Sequence, residues 1–166
     1  MRFYIKQKVF SIGDKYVIKN ENGEDIFFVR GKILTLSPKF YLLDMSNNEQ
    51  SFIEKELFSF LLPKYNIYRN NQLLACIKKT FTFLKSSFEV DSSSGTYVIS
   101  GDFMSMSFDI THNGLRAATI TKKWFTWGDS YEIDISYNED ETLLLSMVII
   151  IDNCLHNQNN NSFVSM

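Results

Sequence analysis

The chain has 166 residues, 45% apolar and 15% aromatic, with 15 Phe against 2 Pro and 7 Gly, and a formal net charge of -2. That length and composition make one folded domain with a sizeable core and exclude a disordered chain. The charge gives no global attraction to nucleic acid, and no nucleic-acid partner is expected.

The N-terminal segment Met1-Arg2-Phe3-Tyr4-Ile5-Lys6 lacks the apolar region of a secretory signal. Cys76 and Cys154 both sit in apolar contexts. They read as small buried hydrophobes of a reducing compartment rather than as a disulfide. These features predict a cytoplasmic, soluble protein.

From Ile5 onward the chain repeats itself. Ile5-Lys6-Gln7-Lys8-Val9-Phe10-Ser11-Ile12-Gly13-Asp14-Lys15-Tyr16-Val17-Ile18 matches Ile120 to Ile133 at nearly every offset: aliphatic, basic, Phe, hydroxyl, Gly-Asp, Tyr. Further copies begin at Val29, Ile53, Ile77 and Ile99, so the units start at residues 5, 29, 53, 77, 99 and 120. A fixed spacing of this kind marks a repeated supersecondary unit. Each unit holds two short runs rich in Ile, Val, Phe, Tyr and Thr, which favour strands. The second run alternates, as in Tyr16/Ile18, Phe40/Leu42 and Tyr131/Ile133/Ile135, so one face is apolar. Asn22-Gly23, Asn47-Asn48, Asn70-Asn71, Ser94-Gly95 and Asn113-Gly114 separate the units and suit tight hairpins. Six units predict about twelve antiparallel strands. A sheet of that size curls or closes, because an open one leaves two long edges.

Leu143 to Ile151 is the most apolar run, with Ser146 its only polar member. At nine residues it is too short to cross a bilayer, which takes about 20. It is apolar on every side and therefore buried all round. A twelve-stranded barrel is too wide for its own side chains to fill, and this run is the filler. Its β-branched residues also suit a thirteenth strand, but the flanks favour a helix. Asn138 is a candidate N-cap with Glu141 three residues on, and Glu139, Asp140 and Glu141 suit the positive helix end. The prediction is all-β with one helix: a closed antiparallel barrel of about twelve strands around a buried C-terminal helix over about 139–156. Residues 1–157 are expected to form a single domain, and 158–166 a mobile tail by their Asn-rich composition.

Several stretches carry a family resemblance. Tyr4 to Lys15, Lys122 to Tyr131, Pro63-Lys64-Tyr65-Asn66-Ile67-Tyr68 and Ile151 to His156 resemble bacterial members of the LURP-one-related family. That family is similar in fold to the Tubby C-terminal domain and the phospholipid scramblases. The resemblance implies a twelve-stranded, Tubby-like barrel around a central helix. Tubby domains bind phosphoinositide headgroups and scramblases act on lipids, so it also points toward lipid surfaces. It supplies no catalytic motif, and the scramblase acylation and membrane segments have no counterpart here.

The residues themselves name no chemistry. His112 lies in the turn Thr111-His112-Asn113-Gly114 and reads as a solvated turn residue. Asp152 and His156 read as a helix-end pair. Two histidines and two cysteines make no metal-spaced cluster, and no phosphate loop or nucleophile elbow occurs. No enzyme, cofactor or metal is expected. Basic residues do recur at one part of the unit: Lys6/Lys8, Arg30/Lys32, Lys55, Lys78/Lys79 and Lys122/Lys123, followed by aromatics. Lys6, Lys8, Lys78, Lys79, Lys122, Lys123, Trp124 and Trp127 are the candidate surface for an anionic phospholipid or membrane surface. The plain alternative is a solvated strand face. The functional alternative is a scaffold for a protein partner.

Overall fold

The structure, a computed structural model, describes residues 1–6, 15–32, 37–57, 62–81, 86–103, 105, 107–125 and 128–161. Twelve strands precede one helix: β1 (Arg2–Lys6), β2 (Lys15–Asn20), β3 (Asp25–Lys32), β4 (Lys39–Asp44), β5 (Glu49–Lys55), β6 (Lys64–Arg69), β7 (Gln72–Phe81), β8 (Ser86–Ser92), β9 (Gly95–Asp102), β10 (Ser107–His112), β11 (Leu115–Phe125), β12 (Gly128–Ile135) and α1 (Glu141–Asn161). Each strand pairs antiparallel with its chain neighbours, and β1 pairs with β12, so the barrel closes with no free edge.

The five expected hairpin turns lie at one rim. Asn47, Asn70, Asn71 and Asn113 take positive φ, as do Gly23, Gly95 and Gly114, the conformations that tight hairpins require.

Each repeat places one aliphatic pair inside. Ile5↔Ile18, Val29↔Leu42, Ile53↔Ile67, Ile77↔Val90, Ile99↔Ile110 and Ile120↔Ile133 stand directly opposite across strands. All twelve are buried. A second belt of rings, Tyr16, Phe40, Tyr65, Phe88, Phe108 and Tyr131, comes from the even-numbered strands and is buried too. The sequence repeat is therefore a repeat of inward positions around the barrel. Cys154 is buried and Cys76 half-buried, and both are free thiols.

Leu143 to Ile151 runs through the centre as part of α1, and Leu144, Leu145, Met147, Ile149, Ile150 and Ile151 have no exposed surface. A thirteenth strand would find no edge to pair with in a closed sheet, whereas a helix satisfies its own backbone. The helix runs from Glu141 to Asn161, later at both ends than the expected 139–156. Residues 158–161 are thus helical, while 162–166 lie outside the described residues. Asp140, not Asn138, is the cap: its Oδ1 accepts the Leu143 N–H at 3.0 Å. Asn138 instead takes a φ of 72° and turns the chain inward.

Polar side chains fix the helix inside the barrel. Ser146 donates to the Thr142 carbonyl at 2.7 Å and meets Ser51 of β5 at 2.6 Å. Tyr131 donates to Asp152 and Tyr65 to Asn153, both at 3.0 Å. Asp152 therefore pairs with the barrel wall, and the side chain of His156, its expected partner, lies outside the described residues.

Candidate functional site

Strand alternation decides which side chains reach the surface. Consecutive residues of a strand point to opposite faces, so the lysine pairs of the repeat are split. Lys79 shares the inward parity of Ile77 and is only 5% exposed, which removes it from the surface. It faces the C-terminal half of α1. There burial pushes the Cys154 thiol up, partly offset by a Tyr65 hydrogen bond and by the charges of Lys79 and Lys55. Lys122 stands opposite the buried Tyr131 and is half-buried.

The outward partners are matched by acids. Lys78 is 3.4 Å from Asp91, and Lys123 is 3.4 Å from Glu132. Lys6 and Lys123 flank Ser130 by register. Trp124 pairs with Asp129 in the ladder, but its side chain, that of Lys6, and all of Lys8 and Trp127 lie outside the described residues. The expected lysines thus form no continuous basic surface among the described residues: β7 and β11 are separated by three intervening strands.

A different basic surface exists on β2 to β6. Its centre is a row of outward side chains in direct register: Arg30↔Tyr41, Tyr41↔Phe52, Phe52↔Tyr68 and Tyr68↔Leu73. The rings of Tyr41 and Phe52 lie 5.0 Å apart, and those of Phe52 and Tyr68 5.7 Å apart. Such contacts stiffen the row beyond the effect of burial alone. At its end Leu73 is 57% exposed.

Cations gather on the other side of Tyr41. The Arg30 guanidinium is 5.4 Å and the Lys32 ammonium 5.8 Å from the Tyr41 ring centre, within cation–π range. Lys39 stands 5.8 Å from the Phe52 ring and 2.8 Å from Glu54. By register Lys15 is opposite Arg30 and Lys39 is opposite Lys32. Like charges directly opposite on adjacent strands are destabilising. Arg30 Nε is buried with no hydrogen-bond partner among the described residues. The surface therefore concentrates positive charge over ring faces and leaves one buried donor unsatisfied. An anion there would relieve both.

Arg30 and Lys32 were visible at the repeated basic offset, and Tyr41 at an outward offset. The register that joins them to Phe52 and Tyr68 was not, because those residues come from separate repeats.

His112 departs from the expected solvated turn residue. It is half-buried, stacks on Tyr97 with ring centres 4.1 Å apart, and contacts Glu139. Arg69 donates to both oxygens of Asp140, at 2.7 and 2.8 Å, and to the Thr142 hydroxyl. Both contacts fix the entry of α1 at the hairpin rim. Among the described residues no group of three or more His, Cys, Asp or Glu side chains could hold a metal ion. Among the described residues no helix is long and apolar enough to cross a membrane.

The family model for LURP-one-related proteins matches residues 1–152. The uncharacterized protein YxjI of Bacillus subtilis is 31% identical over 162 residues, covering 98% of each chain. A solved structure of a protein from Arabidopsis thaliana is 18% identical, with a TM-score of 0.68 over 92% of this chain and 90% of that one, a likeness of fold. With a family match over nearly its whole length and the twelve-stranded barrel around one helix, the chain belongs to the LURP-one-related family.

Proposed function

We propose that the protein is a non-enzymatic binding module for anionic lipid headgroups at a membrane surface, and that β2 to β6 provide the contact. The observation that carries this reading is the pair Arg30 and Lys32 over the Tyr41 ring, continued by Phe52, Tyr68 and exposed Leu73. Cations beside aromatic rings suit the headgroup region, where one end of a side chain is apolar and the other wet. Ring faces in the row cover one another, which disfavours the base stacking that single-stranded nucleic acid uses.

Each basic residue near an anionic surface contributes about 1 kcal/mol, within a Debye length of about 8 Å at physiological salt. Arg30 and Lys32 on one strand can approach one plane together, giving roughly 2 kcal/mol. The module then binds weakly and salt-sensitively, with partner choice set by charge. Co-sedimentation with phosphatidylserine vesicles against phosphatidylcholine vesicles tests this at low and high salt. Binding to the anionic vesicles alone, lost in R30E/K32E and kept in K122E/K123E, is the expected result. Equal recovery with both vesicle types removes the lipid reading and leaves a protein scaffold.

A further inference from the structure

The barrel carries opposite charges on opposite sides. Strands β8, β9 and β10 contain no Lys or Arg. Their outward positions include Glu89, Asp91, Asp102 and Asp109, all exposed. In the closed ring of twelve, β8 is six places from β2, β9 six from β3, and β10 six from β4. The acidic trio therefore lies diametrically across the barrel from the trio that bears Lys15, Arg30, Lys32 and Lys39. Ion pairs tie both faces to their neighbours: Asp91 with Lys78 of β7, Lys39 with Glu54 of β5, and Lys19 with Asp25 within the basic trio.

The two faces also differ in relief. Around the carboxylates the outward side chains are small: Thr96, Val98, Ser100 and Ser107 are all exposed. Around the cations they are bulky, with Tyr41 and Phe52 standing on the sheet. A raised basic face of three strands meets a low acidic face of three strands.

We infer that the protein binds a second copy of itself, the basic face of one molecule on the acidic face of the next. Because the faces are on opposite sides, the contact is heterologous. It does not close as a two-fold dimer and extends into open chains. The inference uses the basic face and does not depend on the lipid reading. Anionic vesicles and the acidic face would compete for the same cations.

Sedimentation velocity on the full chain tests this at about 10 mM and about 1 M salt, where the Debye length is about 30 Å and about 3 Å. The wild type is expected to grow in size with concentration at low salt and to run as a monomer at high salt. R30E/K32E and E89K/D109K, each with an unchanged melting temperature, are expected to stay monomeric alone and to form mixed complexes together. Recovery on mixing excludes misfolding as the cause of the loss. Vesicle binding is expected to vanish in R30E/K32E and to persist in E89K/D109K, which separates the two readings. A wild type that remains monomeric at low salt at every concentration overturns the inference. So does association that neither double substitution removes, or a closed dimer that does not grow.

Discussion

His112 offers Nδ1 to both carboxylate oxygens of Glu139, at 3.0 and 3.2 Å, and Nε2 to the Ser94 carbonyl at 3.1 Å. Both nitrogens face acceptors, and only the imidazolium has two N–H groups to give. Tyr97 stacks on the ring and donates to Glu139 at 3.3 Å. Burial pulls the His112 pKa down, but the hydrogen bonds to Glu139 and Ser94 and the Glu139 charge outweigh it, so the net shift is upward from 6.5.

A folded-state pKa above the unfolded one gives stability that is complete below the unfolded value and lost as pH rises through the folded value. The melting temperature should therefore fall as pH rises above about 6.5. H112A should be less stable at low pH and lack that slope. A wild-type melting temperature with the same pH dependence as H112A would show that the imidazolium is not formed.

The same rim holds the helix cap. Asp140 caps Leu143 and pairs with both terminal guanidinium nitrogens of Arg69. Loss of an Asp cap costs about 1 kcal/mol, and a half-exposed ion pair contributes up to about 1 kcal/mol. D140A should lose about 2 kcal/mol by these figures. D140N keeps a capping oxygen and should lose about half as much. Urea unfolding measures both, and equal losses would assign the whole effect to the ion pair.

Ser51 and Ser146 form a buried hydroxyl pair. Ser146 gives its proton to the Thr142 carbonyl, so Ser51 is the donor between them. S146A strands the Ser51 hydroxyl and should cost about 1–3 kcal/mol. S51A removes only a donor to Ser146 and should cost less. The double substitution leaves no stranded group, and its loss should fall below the sum of the two. Strict additivity in urea unfolding would mean that the hydroxyls do not interact.

The architecture was legible because one repeat encodes one inward pattern. Ile5, Val29, Ile53, Ile77, Ile99 and Ile120 mark it, and each is buried. The filler was legible because Leu143 to Ile151 has no polar face. The cap was misplaced by two residues: Asn138, Asp140 and Glu141 all suit a helix start, and a turn with positive φ at Asn138 claimed the first. The repeated offset groups the lysine pairs into one band, but period-2 alternation separates Lys78 from Lys79. The row Tyr41–Phe52–Tyr68 depends on the registers of β4 on β5 and of β5 on β6. A single sequence does not reveal such registers.

Ile149 has no exposed surface at the centre of α1. A carboxylate there has no partner and costs several kcal/mol or must be neutralised. I149D should be insoluble or unfolded, and a chain ending at Thr142 should fail likewise for want of a filler. Circular dichroism and solubility report both. A soluble I149D protein with the wild-type melting temperature would mean that the helix is not the core.

Lys78 and Lys79 give the sharpest contrast between neighbours. Lys78 is exposed beside Asp91, which leaves its ammonium 3.4 Å from a carboxylate in solvent. Such pairs contribute about 0–1 kcal/mol. Lys79 is 5% exposed and points into the barrel toward Cys154. Glutamate at this position would place a carboxylate in the buried wall, near Cys154 of the helix, at a cost of about 3–5 kcal/mol. K78E should therefore shift the urea midpoint by little, and K79E should shift it far or prevent folding. Matching midpoints for the two variants would show that the side chains occupy equivalent positions, and the inward parity of β7 would then be wrong.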